Sequence, residues 1–197
     1  VKYCRPASRD GLTVLSTALG RNFEQPLSST YRVNFVYSIT ASRPDYVDVE
    51  LNAQQGPLGT GNYRISLEAV GLQSKRAFVH LRYSYTYGFA GRSAMNVYLA
   101  TSGSDKVGFT VVGDRNDPQP KFIGGVRGAI ERNTMRYYLA IDAYLGALAS
   151  PAPVRFERSL ERWFNATELY PRQLREIDRE TYFAMKRNEY ARQQTAQ

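Results

Sequence analysis

Residues 77–87 read Ala77-Phe78-Val79-His80-Leu81-Arg82-Tyr83-Ser84-Tyr85-Thr86-Tyr87, the longest unbroken alternation in the chain. Ala77, Val79, Leu81, Tyr83, Tyr85 and Tyr87 fall on one side, and Phe78, His80, Arg82, Ser84 and Thr86 on the other. Successive side chains of an extended backbone point to opposite faces, so the spacing predicts a strand with one aromatic face.

The same period recurs towards the N-terminus. Tyr63, Ile65, Leu67 and Ala69 alternate with Arg64, Ser66 and Glu68, and Val47, Val49, Leu51 and Ala53 with Asp48, Glu50 and Asn52. Tyr31, Val33, Phe35, Tyr37 and Ile39 form a further row, and Pro44 and the loop-forming stretch Gln55 to Asn62 separate the runs. Two short strands are expected around Val1 to Cys4 and Leu12 to Leu19, bounded by Pro6 and Gly20. None of the connections holds a helix, and a parallel pair needs a crossover of about a dozen residues, so about six strands form an antiparallel meander.

Beyond the strands, residues 92–100 fit no single assignment, Val107 to Val112 reads as a short strand or buried extended piece ending at Gly113, and Asp114 to Pro120 as a polar loop. Val126, Ile130, Tyr137, Tyr138, Ile141, Leu145 and Leu148 recur at three- and four-residue spacing, which predicts an amphipathic helix with Arg127, Glu131 and Arg132 mostly off its apolar side. Pro151 and Pro153 stop it. A second helix starts near Phe156 with Leu160, Trp163 and Phe164 on its apolar side, and Pro171 ends it or opens a third. The third, to about Arg192, carries only Leu174, Ile177, Met185 and Tyr190 among many charges. The fold class is therefore α+β: a curved antiparallel sheet gripping a long helix within residues 1–150, followed by a helical extension over 151–197.

Composition narrows the function. With 197 residues, 43% hydrophobic and 22% charged, the chain has the make-up of a globular domain, and no apolar run reaches the roughly 18–20 residues of a membrane span. The net charge of +8 is spread, with 17 basic and 11 acidic side chains in residues 1–150 and 9 and 7 in 151–197. Glu157, Arg158, Glu161 and Arg162 interleave as on a solvated helix, so no nucleic-acid partner is expected. Cys4 and His80 are the only residues of their types, which excludes an intramolecular disulfide and the familiar zinc sites, and no cofactor is expected. Val1 in place of Met points to an N-terminal segment that was removed or is missing, and the reading leans to export, into a bacterial periplasm.

No motif demands catalysis. His80 lies mid-strand with no acidic neighbour in sequence, and Asp45, Asp48 and Glu50 read as surface charge. Gly56 to Gly61 and Gly124-Gly125 lack the Lys-Ser/Thr of a phosphate loop, and Asn165-Ala166-Thr167 falls inside a helix. What stands out is fifteen tyrosines. Phe35, Tyr37, Tyr83, Tyr85 and Tyr87 from the strands, with Tyr137, Tyr138 and Tyr144 from the helix, line an apolar pocket with hydroxyl tips if they converge. The competing reading is that the same rings fill the core.

The order of several antiparallel strands and then a long helix over Val126 to Leu148 resembles the helix-grip fold of the START-like, or polyketide cyclase-like, superfamily. Ala77 to Tyr87 followed by Met95-Asn96-Val97-Tyr98-Leu99-Ala100 and Val107-Gly108-Phe109 is similar to bacterial members of it. The resemblance covers residues 1–150 and implies non-catalytic binding or carriage of a lipid or other apolar molecule between sheet and helix. The first strand and two small helices of that fold are absent before Val1, and residues 155–193 add helices that it lacks. Two alternatives stand beside it: an assembly subunit that grips a protein partner through residues 155–193, and a cyclase-type enzyme using His80 and Arg82.

Overall fold

Six strands are present in chain order: β1 (Tyr3–Arg9), β2 (Leu12–Leu19), β3 (Tyr31–Arg43), β4 (Tyr46–Gln55), β5 (Thr60–Leu72) and β6 (Arg76–Tyr87). Each pairs antiparallel with the next in one open sheet, so the expected meander is borne out. The computed structural model describes residues 1–73, 76–101, 103–114 and 118–195, so part of the expected loop Asp114 to Pro120 lies outside the described residues. Five helices follow the strands: α1 (Phe89–Ala100), α2 (Gly125–Ala147), α3 (Ala152–Glu168), α4 (Pro171–Leu174) and α5 (Arg179–Thr195). The chain divides into two compact units, Val1–Ala94 with Met185–Gln197, and Met95–Ala184.

In the first unit, Asp10 and Gly11 both take positive φ between the paired Arg9 and Leu12, the two-residue turn whose twist matches a hairpin. Pro6 does not end β1: an edge strand has one side that bonds no neighbour, and a residue lacking N–H is tolerated there. Phe35 lies opposite Leu15, Tyr37 opposite Leu51, Leu51 opposite Ile65, and Ile65 opposite Tyr83. The register therefore lines up the apolar rows of the separate strands on one face. Val33, Phe35, Ala53 and Tyr63 are buried there, with Leu15, Leu19, Leu51, Ile65, Tyr83 and Tyr85 half-buried around them. Bulges between Ile39 and Ala41 and between Gly61 and Arg64 bend β3 and β5.

The C-terminal end of α5 secures the start of this sheet. Lys2 is buried and its ammonium donates to Glu189 Oε1 at 2.7 Å and to the Phe23 carbonyl at 2.9 Å. The Cys4 N–H reaches Gln193 Oε1, and Arg192 pairs with Glu24 at 3.0 Å. A charge this deeply buried is tolerated because it is paired and hydrogen-bonded.

In the second unit, α2 presents a different face from the one its periodicity predicts. Gly128, Ala129, Arg132, Leu139, Ala143 and Ala147 are buried, whereas Ile130, Tyr137, Tyr138, Tyr144, Leu145 and Leu148 are exposed. α2 packs on α3 by close approach, with Gly146 set against the Arg162 guanidinium, and small residues permit that approach where rings do not. Leu160 and Phe164 of α3 form a core with Phe183 of α5, flanked by Phe156, Trp163 and Tyr182. Trp163 stacks on Tyr182 at 4.9 Å.

Three further boundaries differ from the expectations. Residues 92–100, which fitted no assignment, are helical in α1, and Val107 to Val112, expected as a short strand or buried extended piece, forms no named strand and makes one bridge, Val111 with Phe122. The expected third helix is two: Pro171 opens the single turn α4, the backbone extends at Arg175, and Asp178 caps α5 by accepting the Thr181 N–H at 2.9 Å.

Candidate ligand-binding face

The first unit's apolar face carries a row of rings at its β5–β6 side. Phe35 meets Tyr63 edge-on with centroids 6.1 Å apart, and Tyr63 stacks on Tyr85 at 5.4 Å, 11° from parallel. Tyr85 also touches Tyr83 at 5.5 Å and Tyr87 at 6.0 Å. Positions 83, 85 and 87 share a face because the period of a strand is two, and the pairing of Ile65 with Tyr83 sets Tyr63 beside Tyr85. The row grades from wholly buried at Phe35 to 40% exposed at Tyr87, which ends β6. Burial among rings, with the neighbouring phenols of Tyr63 and Tyr87, pushes the Tyr85 hydroxyl above its ordinary value of 10 and keeps it a neutral donor.

Tyr63 is the member that the sequence did not single out as a site residue. Its ring stands over Gly56, where a Cβ would lie 2.4 Å from Cε2, and its hydroxyl donates to Thr60 Oγ1 at 2.7 Å. Thr60 in turn donates to the Pro57 carbonyl. The loop Gln55 to Asn62 thus holds Tyr63 in place; Gly56, three residues past Ala53 at the end of an alternating row, was the available signal.

Of the other expected site residues, Tyr37 lies half-buried in β3 between Thr13 and Leu51, and it makes no ring contact among the described residues. Tyr137 and Tyr138 stand on α2 in the second unit, 39% and 50% exposed.

The opposite face of the sheet is polar. His80 has an acidic neighbour after all: Glu68, its cross-strand partner, accepts from His80 Nδ1 at 3.0 Å and Arg82 at 2.9 Å through Oε2, and from the Tyr46 hydroxyl at 3.1 Å through Oε1. Arg82, then His80 and Tyr46, hold the Glu68 carboxyl below the usual carboxylate range. No sequence spacing reveals this pair, because the register of two strands decides it. The group is an open, mutually satisfied network.

Glu131 of the second unit also has a role that sequence reasoning missed. Its Oε2 accepts the Phe109 and Thr110 N–H groups at 2.8 and 2.9 Å, and its Oε1 the Thr110 hydroxyl at 2.7 Å and Arg127 Nε at 3.1 Å. Partial burial pushes the carboxyl up, but the bonds from Thr110, Phe109 and Arg127 outweigh it and bring the pKa down to about 2. This carboxylate anchors a loop to α2.

Among the described residues no group of three or more His, Cys, Asp or Glu side chains is placed to hold a metal ion, and no helix is long and apolar enough to cross a membrane. Comparisons with protein-family models, with curated proteins and with solved structures find no match to this chain.

Proposed function

We propose that the first unit binds an apolar small molecule or lipid against the ring row Phe35, Tyr63, Tyr83, Tyr85 and Tyr87, and holds it without chemical change. The observation that carries this reading is the graded burial of that row: Tyr83 and Tyr85 are only half-covered, and Tyr87 is open. Half-covered rings gain free energy from whatever covers them, at roughly 25 cal/mol per Å² of apolar surface removed from water. Their hydroxyls orient a ligand that carries a polar end. The one carboxylate–imidazole pair among the described residues, Glu68 with His80, belongs to the opposite face, which supports binding over turnover. This is also the activity that the helix-grip resemblance implies.

A neutral fluorescent probe such as N-phenyl-1-naphthylamine tests it directly. Wild type binds and brightens the probe, and Tyr85→Ala weakens binding about tenfold, since it removes one stacking partner worth roughly 1 kcal/mol and the area beneath the ligand. Equal affinity in wild type and in a folded Tyr85→Ala protein contradicts the proposal.

A further inference from the structure

Arg132 is the largest fully buried side chain among the described residues, and it lies in the second unit. Its guanidinium has five N–H donors, yet among the described residues it meets only two acceptors, Tyr98 Oη at 3.0 Å and the Val107 carbonyl at 3.5 Å. Its Nε–H has no partner among them. Both acceptors are neutral. Among the described residues no carboxylate pairs with Arg132: the adjacent Glu131 serves Phe109 and Thr110, and Glu176 takes Arg136 at 2.6 Å and Lys106 at 3.2 Å. Arg136 stands one helical turn beyond Arg132, and Lys106 precedes the Val107 whose carbonyl Arg132 reaches. Lys106 and Arg136 thus share Glu176, and Arg132, the most buried of the three cations, has no carboxylate partner among the described residues.

Buried cations persist where an anion compensates them. We propose that Arg132 is the floor of a binding site for a small oxyanion, the phosphate or carboxylate group of a ligand. Its planar fork matches two oxygens of such a group. Tyr98 Oη accepts from Arg132, which leaves its own proton to donate to the same anion. Lys106 and Arg136, whose side chains are 27% and 21% exposed, form the wet rim through which the anion enters. The inference stands apart from the sheet's ring row, because every residue it uses belongs to the second unit.

Thermal unfolding of the full chain tests it, with sodium phosphate and sodium acetate titrated separately and sodium chloride at matched ionic strength as reference. Wild type gains roughly 4 °C for each tenfold rise in phosphate or acetate above its Kd, beyond any change in chloride. The anion that acts at lower concentration names the class. Arg132→Met loses that gain while its Tm in chloride equals or exceeds wild type, because an uncompensated buried charge has been removed. Tyr98→Phe and Lys106→Ala keep the fold and move the response to several-fold higher concentration, and they carry the test where Arg132→Met does not fold. No gain beyond chloride with either anion, or the wild-type response unchanged in these variants, overturns the proposal.

Discussion

Replacing Glu131 by Gln tests how the second unit is held together. The carboxylate accepts four hydrogen bonds through two oxygens, and an amide with a single oxygen turns its NH2 towards two of the same donors. A carboxyl moved from 4.5 to about 2 corresponds to roughly 3 kcal/mol of folding free energy at full weight. The side chain is 21% exposed and its partner Arg127 is 67% exposed, so solvent screening reduces this to about 2 kcal/mol. The sign follows from the depressed folded value: the contribution is complete above about 4.5 and is lost as pH falls towards 2. Trp163, the only tryptophan, lies in the same unit and reports its unfolding. Urea denaturation followed by its fluorescence is expected to show E131Q about 2 kcal/mol less stable at pH 6, with the gap narrowing as pH falls from 4.5 towards 2. A gap that stays constant with pH, or no gap at pH 6, would mean that the Glu131 carboxylate does not hold the loop by its charge.

Lys2→Ala strands Glu189 with Lys186 as its remaining partner, and urea midpoints should show a loss of about 3 kcal/mol, whereas Lys2→Met with Glu189→Leu recovers most of it. Gly56→Ala forces the Tyr63 ring aside and should cost roughly 1–3 kcal/mol, with a parallel weakening of naphthylamine binding because Tyr63 supports Tyr85. Wild-type probe affinity in a folded G56A protein would count against that coupling. Phe164→Ala opens a hole among Leu160, Phe183 and Tyr182, and a drop of roughly 3–5 kcal/mol is expected in the transition reported by Trp163.

The rows of the sheet were legible because a period of two survives any change of register: Tyr83, Tyr85 and Tyr87 share a face wherever β6 pairs. The register itself was not legible, and with it went the Glu68–His80 contact and the stacking of Tyr63 on Tyr85. For α2 the periodicity identified a helix, but not which face it buries. Its large apolar residues suggested one stripe, whereas close approach of neighbouring backbone selected the one with Gly128, Ala129, Ala143 and Ala147: Gly128 lies against the Gly108 and Ile123 backbone, and α2 packs on α3. Arg132 entered the interior with that stripe, and Glu131 found partners 21 and 22 residues away along the chain, a separation that no local pattern encodes.

Native mass spectrometry of the gently purified protein, followed by organic extraction, shows whether the first unit's ring row holds an apolar ligand. One apolar molecule per chain is expected, released by solvent and absent or strongly reduced in Tyr85→Ala. A bare mass in every preparation, with no uptake of added lipid by the wild-type protein, would contradict it.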